Sequence, residues 1–350
     1  MAKQDDILSL LKEKAAEAAR SARRAVIIQP GAIGDCILTL PLAEFMKAEL
    51  GLGSVDIFGH TEYIGILPGR TCVDGIRSIE SVDLHRLFVK AGEFDLADGD
   101  PLVNIFAEYA WIVSFLGEPD SDFEQNLIFT AHCSHSAEVT VLPMKPPQDF
   151  GGHLTDFYIQ QFITQSGMTA ERRAVGSGTC LVRAAGADVK RGRDLLLEVG
   201  VGGYSKLVVI HPGAGSVNKC WYLDNFLTIA NELCLRNIEV VFLLGPAELE
   251  RFSESTIDKI HTFAPCLSGL SLTDVVGVLG CASAFVGNDS GVTHLAAALG
   301  IKTVAVFGPT NPDVYGPVGP AVTALAGGTE AGFADRLSAT LQRKVLASLS

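Results

Sequence analysis

The chain opens the same way twice, and that repetition constrains its fold more than any other feature. Ala25-Val26-Ile27-Ile28-Gln29 is a β-branched run that breaks at Pro30-Gly31-Ala32-Ile33-Gly34 and passes into a helix-forming stretch, 36–50. Leu207-Val208-Val209-Ile210-His211 breaks at Pro212-Gly213-Ala214-Gly215 ahead of a second helix-forming stretch, 223–235. A strand followed by a glycine turn and a helix is the first step of a parallel sheet, because parallel neighbours need a crossover. Two such openings in 350 residues predict two domains of ordinary size.

Further strands are expected at 55–58, 127–130 and 138–142 in the first half, and at 239–244, 284–286 and 303–307 in the second. Helix-length segments at 155–165, 247–260, 272–281 and 293–299 lie among them. Alternating hydrophobic strands and helices imply an α/β protein of two Rossmann-like domains facing a central cleft. The expected division is an N-terminal helical extension at 1–24, a first domain at 25–190, a linker within 176–204 and a second domain at 200–325. A final segment at 326–350 carries a helix over 331–349 that would pack back on the first domain. Ligands of such sheets bind beyond the carboxyl ends of the strands.

Composition narrows the class. With 48% hydrophobic and 19% charged residues, neither a disordered chain nor a long coiled coil fits. The longest apolar run, 275–287, is broken by glycines and falls short of the ~20 residues of a membrane span. Segment 1–24 lacks the apolar stretch of a signal peptide. Its Ile7, Leu8, Leu10 and Leu11, followed by Lys12, Lys14, Arg20, Arg23 and Arg24, suit docking on the protein's own surface or a peripheral membrane contact. Eight cysteines without a CxxC pair read as small hydrophobes of a reducing cytoplasm. His132-Cys133-Ser134-His135 holds ligand types too close in sequence to converge on one ion, so no metal is expected.

The formal charge of -13 would repel phosphate backbones, and no nucleic-acid partner is expected. That charge is unevenly placed. Residues 35–150 carry 19 acids against 6 bases, whereas 151–350 carry 17 against 15. An anionic ligand is more easily accepted by the second half.

Several residues at the strand ends carry chemistry. In Asn288-Asp289-Ser290-Gly291-Val292-Thr293-His294 a strand passes through a polar loop into a helix. Free N–H groups at Gly291, Val292 and Thr293, with the Ser290 and Thr293 hydroxyls, would cradle a diphosphate. Asp289 or Ser290 as a plain helix cap is an equal reading, and His294 can equally be a buried, hydrogen-bonded histidine. Ser216 and Lys219 share a glycine-rich loop in which the lysine could neutralise a leaving phosphate or simply be solvated. Glu248, just after Gly245-Pro246, stands where an acid can take a ribose hydroxyl pair, or where it satisfies a helix dipole. Asp35, after the Gly31 to Gly34 turn, could accept a proton from a hydroxyl or cap its helix.

In this order the motifs resemble glycosyltransferase family 9, the ADP-heptose:lipopolysaccharide heptosyltransferase-like enzymes. The resemblance is carried by Asn288 to Gly300 with Val306-Phe307-Gly308-Pro309-Thr310, by Gly31-Ala32-Ile33-Gly34-Asp35 with Leu38-Thr39-Leu40-Pro41, by Lys219 beside Trp221, and by Gly245-Pro246-Ala247-Glu248. It implies a GT-B fold with a nucleotide-sugar, ADP-heptose, bound by the second domain and a glycan or lipid-linked acceptor bound by the first. It also implies transfer with inversion, no cofactor and no metal, at the cytoplasmic face of a membrane. Asp35 would be the general base and Gly31 and Gly34 the acceptor loop. Lys219, Ser216 and the stretch from Asp289 through Ser290, Gly291, Val292 and Thr293 to His294 would hold the diphosphate, and Glu248 the nucleoside. Two departures stand out: Tyr222 replaces a usual proline, and the acidic first half is a poor match for a phosphorylated lipopolysaccharide core. A nucleotide-sugar epimerase or hydrolase of GT-B shape, or a non-catalytic nucleotide-sugar binder, are the competing readings.

Overall fold

A computed structural model describes residues 23–169, 180–203, 206–327, 333 and 337–349. They form two compact units. The first comprises the chain up to Gly31 with Thr39–Gln148 and the stretch from Thr155, and the second comprises Ala32–Leu38, Asp149–Leu154 and the described residues from Cys180 onward.

The elements of the first half are β1 (Arg24–Ile28), α1 (Ile33–Glu49), β2 (Ser54–Gly59), α2 (Thr61–Ile64), β3 (Gly75–Ser78), α3 (Pro101–Phe106), β4 (Trp111–Ser114), α4 (Asp122–His132), β5 (Glu138–Val141) and α5 (Leu154–Ser166). The strands pair in parallel in the order β3-β2-β1-β4-β5. The order reverses beside β1, which puts the mouth of the sheet at the turn after that strand. Val26, Ile28, Phe58, Ile112 and Val141 pack with Phe106, Phe123 and Leu127 into one core.

The second half carries α6 (Gly186–Glu198), β6 (Leu207–His211), α7 (Leu223–Cys234), β7 (Glu239–Leu244), α8 (Pro246–Arg251), α9 (Glu254–His261), β8 (Cys266–Ser268), α10 (Leu272–Leu279), β9 (Ala284–Asn288), α11 (Gly291–Ala298), β10 (Lys302–Phe307), α12 (Pro312–Tyr315), β11 (Val322–Ala326) and α13 (Ala339–Leu349). Its sheet is also parallel, in the order β11-β10-β9-β6-β7-β8.

Some elements differ from expectation. The apolar run 127–130, expected as a strand, lies inside α4. Ser121 caps that helix by accepting from Glu124 N–H, and Phe123, Leu127 and Ala131 recur every four residues on its buried face. The single helix expected over 247–260 is two, because Ser253 starts a new one by accepting from Thr256 N–H. Four short strands, β3, β4, β8 and β11, have no strong pattern of their own and exist by pairing with longer neighbours.

The boundary between the units also moves. The expected linker 176–204 contains α6, which belongs to the second unit and lies against α10. The two helices touch backbone to backbone: a Cβ added at Gly192 would fall 2.1 Å from the Gly277 carbonyl carbon. The final helix seats Leu341 and Val345 in the core of the second unit with Val304, Val306 and Phe226. Asn225 Oδ1 holds its start, accepting from Ser338 N–H at 2.7 Å and Gln342 Nε2 at 2.9 Å. The extension 1–24 lies outside the described residues except for Arg23 and Arg24, the latter inside β1. No helix among the described residues is long and apolar enough to cross a membrane.

Candidate active site

In the second unit the carboxyl ends of β6, β7 and β9 converge on the groups singled out above. Asn288, the fully buried last residue of β9, joins two of them: its Oδ1 accepts from Trp221 N–H at 2.9 Å and its Nδ2 donates to Pro212 O at 2.7 Å. The amide thereby pins the loop that carries Lys219 onto the loop that carries Asp289. Lys219 Nζ sits 2.7 Å from Asp289 Oδ2, and His294 Nε2 lies 3.8 Å from Oδ1. Burial raises the Asp289 pKa, but His294 and Lys219 outweigh it and hold the carboxyl at about 2. Asp289 is therefore an anion near neutral pH, facing two basic side chains. The Lys219–Asp289 contact is an ion pair, and His294 Nδ1 is buried without a partner among the described residues.

The start of α11 is capped from within its own turn. Ser290 Oγ accepts from Thr293 N–H at 3.4 Å and lies 3.0 Å from Thr293 Oγ1, which donates to Asn288 O at 2.5 Å. The two hydroxyls expected to meet a phosphate are thus used inside their own turn, and Thr293 is fully buried. What remains are the N–H groups of Gly291 and Val292, the first two of the helix, with the positive end of the helix behind them. Ser216 is exposed at the start of the one-turn helix Val217–Lys219, and its carbonyl accepts from Lys219 N–H.

Beside these groups opens a pocket of about 420 Å³, walled by Pro212, Val217, Trp221, Leu223 and Phe252. That volume and its apolar lining suit a nucleoside. Glu248 reaches it from α8, almost fully buried, with Oε2 accepting from Gly245 N–H at 2.7 Å. His211, 3.9 Å away, directs Nδ1 to Leu243 O. Gly213 has no room for a side chain, since a Cβ there would stand 1.5 Å from Glu248 Oε1. Arg251, not singled out from the sequence, clamps the facing loop: Nη1 donates to Ala214 O at 2.9 Å and Nη2 to Gly215 O at 3.3 Å. Its i+3 spacing from Glu248 was the available signal, because residues three apart share a helix face.

Asp35 is the third residue of α1 and half-buried, and its Oδ2 accepts from Ala32 N–H at 3.0 Å. Gln29, also unanticipated, shapes the turn before it. Its Oε1 accepts from Gly31 N–H at 2.9 Å and its Nε2 donates to Thr39 Oγ1 at 2.8 Å, fully buried. Residues 32–38 group with the second unit, where Gly34 lies against His294 and Gly291 against Ile33. Added Cβ atoms would come within 3.2 Å of His294 Cδ2 and 1.9 Å of Ile33 Cγ2. The Gly34 turn and the first turn of α11 are therefore close neighbours, with no room for a Cβ at Gly291 and little at Gly34. Among the described residues no group of three or more His, Cys, Asp or Glu could hold a metal ion.

Two parallel α/β sheets, the second with a helix N-terminus and a lysine beside a pocket at its strand ends, define an α/β protein of two Rossmann-like units. Comparison with known proteins narrows this. The family model of glycosyltransferase family 9 (heptosyltransferase) matches residues 184–342, starting just ahead of α6. Lipopolysaccharide heptosyltransferase 3 of Escherichia coli is 31% identical over 309 residues, covering 79% of this chain and 81% of that protein. Lipopolysaccharide heptosyltransferase 1 of Pseudomonas aeruginosa is 38% identical over 106 residues, covering 30% of this chain and 29% of that protein. Among solved structures, E. coli ADP-heptose lps heptosyltransferase II matches with a TM-score of 0.66 at 16% identity, over 93% of this chain and 97% of that one. An E. coli heptosyltransferase solved with ADP matches at 0.62 and 17% identity, over 93% and 100%. The chain belongs to glycosyltransferase family 9, and its two sheets are those of the GT-B fold.

Proposed function

We propose that the protein transfers heptose from ADP-heptose to a hydroxyl of a glycan or lipopolysaccharide-like acceptor, with inversion and without a metal ion. The observation that carries this reading is the Lys219 ammonium beside the start of α11, next to the nucleoside-sized pocket. With the nucleoside in that pocket under Glu248, the diphosphate would reach the Gly291 and Val292 N–H groups and Lys219. As the anomeric carbon–oxygen bond breaks, these donors stabilise the charge that develops on the leaving diphosphate, the task a cation performs elsewhere. Asp289 keeps Lys219 oriented. Because it is itself an anion, it serves the site through the lysine rather than by binding phosphate. Asp35 takes the proton of the attacking hydroxyl, whose oxygen forms the new bond on the opposite face of the sugar. The donor is read as ADP-heptose because the solved relatives include an ADP-heptose transferase and a complex with ADP. An acceptor built on lipid puts the work at the cytoplasmic face of a membrane.

The test measures nucleoside diphosphate release from ADP-, UDP- and GDP-sugars with and without heptose-terminated oligosaccharides, in the wild type and Asp35→Ala. The expected outcome is acceptor-dependent ADP release that drops by about 10²–10⁴ in Asp35→Ala with ADP affinity unchanged. Acceptor-independent release would indicate a hydrolase, and full turnover in Asp35→Ala would remove the base assignment.

A further inference from the structure

In the first unit, two neighbouring strand ends turn their side chains onto one carboxylate. β2 leads into His60, the N-cap of α2, and β3 ends at Ser78, the N-cap of the single 3-10 turn Ile79–Ser81. Neither side chain caps its own helix, although capping is the usual use of a serine there. Both reach Glu80 instead: His60 Nδ1 lies 2.5 Å from Oε1, and Ser78 Oγ donates to Oε2. The Tyr63 ring stands edge-on to the His60 ring with centroids 6.0 Å apart. Gly59, whose added Cβ would fall 2.9 Å from Gln29 O, brings the end of β2 close to the end of β1.

These groups lie beyond the carboxyl ends of parallel strands, where such sheets take ligands. They are also open, the His60 and Glu80 side chains being 35% and 58% exposed. Glu80 occupies the Nδ1 side of the His60 ring and leaves Nε2 as its second hydrogen-bonding nitrogen. Among the described residues the Glu80 carboxylate meets His60, Ser78 and its own backbone N–H, and a carboxylate accepts about four hydrogen bonds. The cluster thus offers carboxylate acceptors and an aromatic ring, groups that suit a sugar's hydroxyls and its C–H face. It offers little to an anion: Glu62 is exposed beside it, and the Arg77 guanidinium is turned over the Phe58 ring.

We infer that His60, Glu80 and Tyr63 form a saccharide subsite for an uncharged, hydroxyl-rich sugar. That this sugar is the acceptor rests on the transferase reading; the binding itself does not. The test is saturation-transfer-difference NMR on the full chain with methyl α-D-mannopyranoside and its 6-phosphate, alongside ADP titration. The expected result is transfer to the neutral glycoside, weaker transfer to the 6-phosphate, and affinity about tenfold lower in both His60→Ala and Glu80→Gln, the scale of one charge-assisted hydrogen bond. ADP affinity stays equal in all three proteins and reports that the variants are folded. No signal from the wild type, equal signals in the variants, or a preference for the 6-phosphate overturns the subsite. Glycoside binding that depends on His60 and Glu80 in a protein that turns over no donor would leave the subsite standing and sink the transferase reading.

Discussion

Replacing Lys219 by Met separates the two tasks this residue is given. In the donor-free protein the ammonium neutralises Asp289, whose side chain is only 7% exposed. The fall of that carboxyl from 3.8 to about 2 corresponds to about 2 kcal/mol at ~1.4 kcal/mol per pH unit, shared between His294 and Lys219. Lys219 is itself 37% exposed, so screening by water reduces its share to about 1 kcal/mol. Leaving the carboxylate without its cation adds desolvation, and the expected loss is about 1–2 kcal/mol, a drop of about 3–6 °C in Tm. The sign follows from linkage. Because the folded pKa lies below the unfolded one, the pairing stabilises fully above about pH 4 and is lost as pH falls through about 2. Thermal melts of wild type and Lys219→Met should therefore differ most near pH 7 and draw together as pH falls below about 4. Calorimetric titration should show ADP bound about 10–100-fold more weakly, the worth of a charge-assisted hydrogen bond. The pair Lys219→Met with Asp289→Asn should recover most of the stability and none of the affinity. A stability loss that persists undiminished from pH 7 to pH 3 would refute the pairing, and unchanged ADP affinity would refute the phosphate role.

Two further outcomes concern the nucleoside pocket. Gly213→Ala places a methyl 1.5 Å from Glu248 Oε1, so the carboxylate must leave its place; ADP binding should be lost with a stability cost of about 1–3 kcal/mol, and Tm and affinity close to wild type would show that the contact relaxes freely. Arg251→Ala releases the Ala214 and Gly215 carbonyls, so the donor KM should rise about tenfold while kcat changes little, with Arg251→Lys recovering part of it; equal losses in kcat would instead place Arg251 at the transition state.

Where the sequence pattern was local, the structure follows it. Both openings are strand, turn and helix because β-branched runs ended by Pro and Gly can hardly be anything else. The Asp289 to His294 loop was legible for the same reason, since a cap, a helix start and its free N–H groups all belong to one short stretch. The run 127–130 was misread because four apolar residues fit a strand as well as a helix, and only the buried spacing with Phe123 and Ala131 decides. Arg251 offered only its i+3 spacing from Glu248, because its partners are two backbone carbonyls, and Gln29 was hidden because its roles, a turn N–H and the Thr39 hydroxyl, become neighbours only in the fold.

By itself, then, the sequence determined the two parallel α/β units, the placing of the net charge in the first half and the identity of the residues at the strand ends, all properties of neighbours along the chain. Tertiary structure alone decided which of them meet. It spent the Ser290 and Thr293 hydroxyls inside their own turn and turned Asp289 toward Lys219 and His294. It also joined α6 to α10 through two glycines 85 positions apart and drew His60 and Ser78 away from their helices onto Glu80. Such contacts depend on distance in space and on the direction of each side chain, and spacing along a chain encodes neither.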